Sequence, residues 1–173
     1  MSRRTGIAVF VLSLVGLTAS IAAAVVHYRL LSDPLYRSVC DFNATWNCTQ
    51  VYESQYGAFL GVPVAVGGVI WFAAVTALAL VALRGATGSG PAADRSRRIG
   101  GYLFALSVPA LSVVLYLGYA SLFVLNAYCV FCFITYFAVI GIFLVSGAAA
   151  DGIMTGLPRR AIADLREIGR AHV

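Results

Sequence analysis

Residues 100–150 read GGYLFALSVPALSVVLYLGYASLFVLNAYCVFCFITYFAVIGIFLVSGAAA, a stretch without a charged residue. As one helix it would be about 75 Å long, whereas the hydrocarbon core of a bilayer is about 30 Å thick. The stretch therefore predicts two membrane-spanning helices that fold back on each other. The polar residue Asn126 marks the turn between them, so we assign these spans to residues 100–124 and 127–149.

Two further apolar runs precede this stretch, at residues 6–28 and 61–83. The chain of 173 residues is 61% hydrophobic and only 11% charged, and its mean hydropathy is +0.89. Soluble domains are about half apolar and a quarter charged, so most of this chain is expected to lie in lipid. The sequence predicts an all-α, integral membrane four-helix bundle that forms one domain at residues 1–150.

Arginine accounts for all twelve basic residues, and its positions flank the apolar runs. All of them except Arg29 and Arg37 lie at the N-terminus, between the second and third spans, or in the C-terminal tail. By the positive-inside rule both termini are then cytoplasmic, whereas loop 29–60 and the turn at Asn126 are periplasmic. We therefore expect a multi-pass protein of a bacterial inner (plasma) membrane. This arrangement of arginines does not indicate a nucleic-acid surface, although the pI is about 9.3.

Each end of the chain allows two interpretations. The first apolar run follows a basic start, as in a cleaved signal peptide, but residues 6–28 exceed the roughly 7–15 apolar residues of a signal core, so we expect a retained span. In the tail, residues 151–173, Ile162, Leu165 and Ile168 follow helical spacing among arginines. This pattern predicts a cytoplasmic amphipathic tail that contacts membrane lipid, and a solvated tail is the alternative.

The periplasmic loop, residues 29–60, is predicted to carry a short interfacial helix. Residues 49–56 fit such a helix, with Val51, Tyr52 and Tyr56 on one side. Residues 38–48, which contain the two loop cysteines, are polar, and we expect this segment to be mobile.

Two prolines bear on the second and third spans. Pro63 suits the first turn of the second span, where a missing N–H leaves no partner unsatisfied. Pro109 lies inside the third span and is expected to kink it, which can make room for a ligand or can simply be tolerated. Residues 84–98, between these spans, are predicted to be a plain linker.

Four cysteines fall on the periplasmic side as two pairs. Cys40 and Cys48 lie in the loop, whereas Cys129 and Cys132 form a C-x-x-C sequence that opens the fourth span. The start of a helix lowers a thiol pKa, which favours a role for Cys129 in thiol exchange. A loop pair can meet a soluble protein, and a pair at the top of a span can meet a lipid-soluble acceptor. The placement predicts a relay in which Cys132, one turn deeper, is the donor to that acceptor.

Three other uses of these cysteines compete with a relay. A zinc site of four thiolates would place a charged cluster among the apolar and aromatic residues around Cys129. Covalent haem requires a histidine directly after the C-x-x-C, where Phe133 stands. We therefore expect neither metal nor haem. Two permanent structural disulfides remain the main alternative, although a C-x-x-C bridge closes too short a loop to add much stability.

Several of these residues together resemble the vitamin K epoxide reductase family. The loop cysteines precede the second span, Ser54 follows Cys48 by six residues, and the fourth span opens with C-x-x-C-x-x-T-Y, which ends at Tyr136. The joint pattern extends over residues 6–149 and is far more specific than any single motif in it.

The resemblance implies a role for each of these residues. Cys40 would exchange with a protein thiol, and Cys48 would carry the exchange to Cys129. Cys132 would react with a quinone, to whose oxygen Tyr136 would donate a hydrogen bond.

Three loop residues would lie near the same pocket. The resemblance implies that Ser54 supports the loop helix, and Tyr52 and Tyr56 are candidate quinone contacts. The tyrosines could instead be ordinary interfacial aromatic residues, which membrane helices collect at both faces. The start of the second span, residues 61–65, reads GVPVA and lacks the amide that animal members carry there, which argues against efficient epoxide chemistry.

The function expected from these observations is that of a thiol:quinone oxidoreductase. It would re-oxidise a separate periplasmic thioredoxin-like thiol oxidase and reduce ubiquinone or menaquinone, in support of disulfide bond formation. We expect a separate partner because the chain has no room for a fused thioredoxin-like domain. One alternative is a quinone or vitamin K epoxide reductase that uses thiols as electron donor. Another is a non-enzymatic four-span scaffold with structural disulfides.

Overall fold

The structure, a computed structural model, describes residues 2–33, 35–59, 61–85 and 91–149. In this part of the chain four long helices are long and apolar enough to cross a membrane. They are α1 (Arg3–Ser32), α3 (Val64–Gly85), α4 (Pro91–Tyr119) with a π-helical continuation (Ala120–Leu125), and α5 (Val130–Ala149). The predicted all-α four-helix membrane bundle is confirmed. The tail at residues 151–173 lies outside the described residues.

The second long helix begins later than its apolar run suggests. Residues Ala58–Phe59 (β1) and Val62–Pro63 (β2) form a small antiparallel hairpin, so α3 starts only at Val64. Gly61 has a φ of 80°, a conformation that favours glycine and suits a tight turn. The prediction that Pro63 belongs to the first helical turn is therefore wrong, because the local turn chemistry extends the loop.

The linker before the third long helix is shorter than predicted. Helix α4 begins at Pro91, so residues 91–98 are helical rather than a plain connection. Proline suits a helix start because its fixed φ is already helical and its missing N–H needs no partner there. The first turns of α4 are rich in polar residues and precede the apolar run, so hydropathy alone could not locate the start of this helix.

The short loop helix, α2 (Cys48–Glu53), is framed by polar caps. The side chain of Asn47 accepts a hydrogen bond from the Gln50 N–H at 2.9 Å, which begins the helix. Ser54 follows its last residue and its hydroxyl accepts from the Tyr56 N–H at 3.2 Å. These contacts end the helix earlier than the predicted range of residues 49–56.

Close helix packing brings the bundle together around α1. Helix α1 packs along both α3 and α5, and α4 packs against α5. Gly16 of α1 lies so close to the ring of Phe72 in α3 that an added Cβ would overlap that ring. Small residues allow this approach between membrane helices, where packing replaces the hydrophobic effect as the source of stability.

The last two spans are joined by a turn at Asn126, which adopts the left-handed conformation with a φ of 51°. The Ala127 N–H donates to the Ser121 carbonyl at 3.2 Å, and the Ser121 hydroxyl donates back to the Ala127 carbonyl. Asparagine tolerates this backbone conformation better than most residues. The turn brings the C-x-x-C sequence to the same end of the bundle as the loop that carries Cys40 and Cys48 (the outer loop).

Candidate functional site

The outer-loop cysteines are joined in a disulfide and are buried. Cys40 and Cys48 are 3% and 0% exposed, and their Cα atoms are 5.8 Å apart. The carboxylate of Asp41 accepts hydrogen bonds from the Thr49 N–H at 3.1 Å and from the Thr49 hydroxyl at 2.6 Å. The chain next to Cys40 is thus held against the first turn of α2, where Cys48 begins the helix.

Backbone hydrogen bonds tie the segment between these cysteines to the fourth span. The Tyr128 N–H donates to the Thr45 carbonyl at 2.7 Å, and the Asn47 N–H donates to the Tyr128 carbonyl at 3.1 Å. The side chain of Asn43 caps the turn by accepting from the N–H groups of Thr45 and Trp46. A segment expected to be mobile from its polar composition is therefore fixed directly beside the C-x-x-C sequence.

The inner cysteines are both free thiols in different surroundings. Cys129 is 0% exposed, whereas Cys132 is half-buried. The Cys129 carbonyl accepts from the Phe133 N–H at 3.0 Å, and its Sγ accepts from the Cys132 N–H at 3.3 Å. Cys129 therefore occupies the capping position of α5, where unpaired helix N–H groups favour a negative charge.

A phenol hydroxyl also reaches the inner pair. The Tyr52 Oη lies 3.1 Å from the Cys129 Sγ, and both side chains are buried. Hydrogen bonding with the Cys132 thiol, together with that from Tyr52, lowers the pKa of the Cys129 thiol against the opposing effect of burial. The direction of this pKa shift is the one that the helix start predicts.

Both cysteine pairs belong to one packed cluster at this end of the bundle. Cys40, Cys48 and Cys129 are buried together with Tyr52, and Cys132 packs against them. The sequence predicted that the two pairs lie on the same side of the membrane, and the family resemblance implied exchange between Cys48 and Cys129. In the folded chain α2 and the start of α5 bring the pairs into one site, as thiol exchange between them requires.

A cavity of about 420 Å³ adjoins this cluster, and Tyr52 and Cys132 belong to both. Its lining is predominantly apolar and comes from α1, α2, α3, α4 and α5, with Cys132, Thr135 and Tyr136 on the α5 side. Small-molecule sites are typically 300–1,000 Å³ and combine apolar walls with a few polar groups. The cavity therefore suits a largely apolar ligand that meets Cys132 rather than the buried Cys129.

The hydroxyl-bearing residues that line the cavity differ in their contacts with the rest of the protein. The Tyr136 hydroxyl makes no hydrogen bond to any residue in the described ranges, although Tyr136 lines the cavity. The Thr135 hydroxyl donates to the Cys132 carbonyl at 2.8 Å. Tyr56 lines the cavity, and its ring packs edge-on against Tyr116 with centroids 6.1 Å apart. The Tyr136 hydroxyl is therefore available to a ligand on the same side of the cavity as Cys132.

Ser54 is not among the residues that line the cavity. Its hydroxyl donates to the Val51 carbonyl at 2.7 Å, so it holds the end of α2 instead of facing a ligand. Tyr52 does line the cavity, but its hydroxyl is directed to Cys129. This contact of Ser54 agrees with the supporting role that the family resemblance implies for it.

Two residues of the site, Ser38 and His27, were not predicted from the sequence. The Ser38 hydroxyl lies 3.0 Å from the Cys40 Sγ, and the His27 ring stacks on Tyr52. Pro109, for which the sequence suggested a kink that makes room for a ligand, lines the cavity. A histidine within a span is an unusual residue that generally marks function, and this signal could have identified His27.

A metal site is a geometric option at the outer loop. The ligand atoms of Cys40, Asp41 and Cys48 lie within 4.8 Å of one another. Both sulphurs are joined in a disulfide, and both carboxylate oxygens of Asp41 accept hydrogen bonds from Thr49. In this disulfide the two sulphurs are not thiolates, the form in which cysteine binds a metal.

The sequence also matches a known family model. The model of the vitamin K epoxide reductase family covers residues 7–146, which include both cysteine pairs and most of each long helix. Membership supports a thiol-dependent quinone or epoxide reductase activity in general. The match extends over far more than half of the chain and agrees with the four-helix bundle described above. The chain therefore belongs to the vitamin K epoxide reductase family.

Proposed function

We propose that this protein is a membrane thiol:quinone oxidoreductase that re-oxidises a separate periplasmic thioredoxin-like protein and reduces ubiquinone or menaquinone. The observation that carries the proposal is the unequal placement of the inner cysteines. Cys132 lines an apolar cavity, whereas Cys129 is buried against the outer-loop pair. One sulphur is thus available to a lipid-soluble acceptor and the other to the loop.

The electrons would move in two exchange steps. A thiolate of the partner attacks Cys40, which breaks the Cys40–Cys48 disulfide and releases Cys48 as a thiolate. The partner's second thiolate then attacks the partner sulphur bonded to Cys40, so the partner leaves as a disulfide and both loop cysteines are reduced. Cys48 next attacks Cys129 in the Cys129–Cys132 disulfide and releases Cys132 as a thiolate.

The inner pair then reduces the quinone. After Cys40 has attacked Cys48, the loop disulfide is restored and Cys129 and Cys132 are both reduced. Their re-oxidation to a disulfide supplies two electrons, and two protons complete the quinol. Tyr136 would donate a hydrogen bond to a quinone oxygen beside Cys132 as that oxygen gains charge. The structure has the loop disulfide and two free inner thiols, which corresponds to the state before quinone reduction.

The cavity favours quinone over epoxide chemistry. In the described part of the chain no amide side chain lines the cavity, and the start of the second span carries none. Periplasmic exposure of the cysteine end is proposed from the arginine distribution.

The test combines purified protein, a reduced thioredoxin-like dithiol protein and a soluble quinone analogue. We expect quinone absorbance to fall as partner disulfide forms, in equal molar amounts. The variant Cys132→Ser should lose this activity. Quinone reduction at the wild-type rate by Cys132→Ser, or repeated dithiol oxidation without quinone beyond what the protein's own disulfides can accept, would contradict the proposal.

A further inference from the structure

The steps proposed above for quinone reduction at Cys132 do not use the contact between Tyr52 and Cys129. We propose that Tyr52 is a catalytic hydrogen-bond donor that stabilises Cys129 as a thiolate, and that His27 is the residue that positions it. The proposal rests on the relay described above and adds a role on the loop side of the inner pair. It rests on the distance of 3.1 Å between the Tyr52 Oη and the Cys129 Sγ, and on the burial of both groups.

Helix α2 supplies both the attacking sulphur and the donor. Cys48 and Tyr52 are four residues apart, so they lie on the same face of the helix. Both are buried, with exposures of 0% and 6%. The short helix therefore presents Cys48 and the Tyr52 hydroxyl to the same region, which also contains Cys129. A movement of α2 would therefore carry Cys48 and the Tyr52 hydroxyl together toward or away from Cys129.

His27 of α1 packs against the phenol ring of Tyr52. The His27 and Tyr52 rings are stacked, with centroids 5.3 Å apart and an angle of 30° between their planes. His27 is 4% exposed, and its Nδ1 makes no hydrogen bond within the described residues. Its contact with Tyr52 is through the ring faces, so we assign His27 a positioning role.

The electrostatics agree with a donor that retains its proton. Burial, followed by the neighbouring inner thiols, raises the pKa of the Tyr52 hydroxyl far above its usual range. Tyr52 therefore remains protonated at any ordinary pH and donates a hydrogen bond without giving up the proton. The same hydrogen bond lowers the pKa of the Cys129 thiol. Of the contacts that lower this pKa, only the hydrogen bond with Cys132 has a larger effect.

The step that benefits is the release of Cys129 from the mixed disulfide. Cys40 attacks Cys48 in the Cys48–Cys129 bond, the Cys40–Cys48 bond forms, and Cys129 leaves as a thiolate. One thiolate is consumed and one is produced, so no additional oxidant or proton is needed. A hydrogen bond to the departing sulphur stabilises its charge and accelerates this step.

The first test measures the Cys129 thiolate directly, without quinone or partner. In a full-length chain with Cys40, Cys48 and Cys132 replaced by serine, ultraviolet thiolate absorbance is titrated against pH. A Cys129→Ser version of the same chain provides the baseline. We expect Tyr52→Phe to raise the titration midpoint by about 0.5–1 pH unit. Tyr28→Phe is the matched control, because Tyr28 is exposed on α1, and it should leave the midpoint unchanged.

The second test measures transfer from the loop pair to the inner pair in otherwise wild-type protein, by rapid alkylation after a small dithiol is added. Tyr52→Phe should slow this transfer about five- to fiftyfold. His27→Ala should slow it in the same direction, whereas His27→Phe, which retains a ring, should restore most of the rate.

These tests separate the inference from the proposed function. An unchanged midpoint and an unchanged transfer rate in Tyr52→Phe would overturn the donor role. An equal loss of transfer rate in His27→Phe and His27→Ala would overturn the positioning role, since a stacked ring at this position would then not support transfer. If wild-type protein fails to reduce quinone but the midpoint still rises in Tyr52→Phe, only the proposed function fails.

Discussion

The ring of Trp46 lies edge-on against the ring of Tyr128, with 5.4 Å between the centroids. The two residues also form a parallel backbone bridge. Because Tyr128 directly precedes Cys129, this contact holds the outer loop beside the inner cysteine pair. The relay therefore depends on a docked loop as well as on the cysteines.

We predict that Trp46→Ala slows transfer from the loop pair to the inner pair by about two- to tenfold, the value of one edge-to-face aromatic contact. Quenched alkylation after addition of a dithiol gives the rate. Trp46→Phe is the matched control, because it retains an aromatic edge, and should lose less. Transfer at the wild-type rate in Trp46→Ala would mean that the backbone bonds alone dock the loop.

The order of the relay can be trapped. When Cys132 is absent, Cys129 cannot form the inner disulfide, so a disulfide made between Cys129 and a loop thiol cannot be resolved by Cys132. After a thiol oxidant such as diamide is added to supply the missing two-electron oxidation, we expect Cys40→Ala combined with Cys132→Ala to accumulate a Cys48–Cys129 crosslink on non-reducing gels. The paired variant, Cys48→Ala with Cys132→Ala, should accumulate little. A dominant Cys40–Cys129 crosslink would reverse the proposed order.

Tyr136→Phe should separate quinone reduction from thiol exchange. The substitution removes only a hydroxyl that lines the cavity, and a hydrogen bond of about 1 kcal/mol that strengthens in the transition state is lost. Quinone reduction should fall roughly five- to a hundredfold while exchange between the cysteine pairs is retained. Tyr119→Phe, on an exposed side chain of α4, controls for general effects of the change. Unchanged quinone kinetics in Tyr136→Phe would leave Tyr136 as an interfacial aromatic residue.

The orientation of the bundle is tested by labelling from outside intact cells. In a chain without native cysteines, a cysteine at Asp33 should react with a membrane-impermeant thiol reagent, and one at Ser96 should react only after the membrane is opened. The arginine distribution is the basis for this expectation. Labelling of Ser96→Cys in intact cells would place the cysteine pairs in the reducing compartment and contradict the proposed relay.

Hydropathy predicted the bundle because a span leaves a long, continuous signal in the sequence. The ends of spans are set by local contacts instead. The hairpin around Gly61 delayed α3 past Pro63, and polar residues after Pro91 continued α4 beyond its apolar run. Neither effect changes mean hydropathy enough to be recognised.

The candidate site was predictable only where its residues form a local motif. The C-x-x-C sequence at the start of α5 identified Cys129 and Cys132. The contact of Tyr52 with Cys129 joins residues 77 positions apart, so no spacing pattern reveals it. The stacking of His27 on Tyr52 likewise depends on how α1 packs against the loop, which only the folded structure gives.

The central claim is that quinone oxidises the inner pair and that the loop pair is oxidised only through it. Fully reduced protein should be mixed with one equivalent of quinone, and the cysteine states followed by rapid alkylation and mass analysis. We predict that the Cys129–Cys132 disulfide appears first and the Cys40–Cys48 disulfide forms afterwards at its expense. In the Cys129→Ser and Cys132→Ser double variant the loop pair should remain reduced. Oxidation of the loop pair by quinone at the same rate in that double variant would contradict the account.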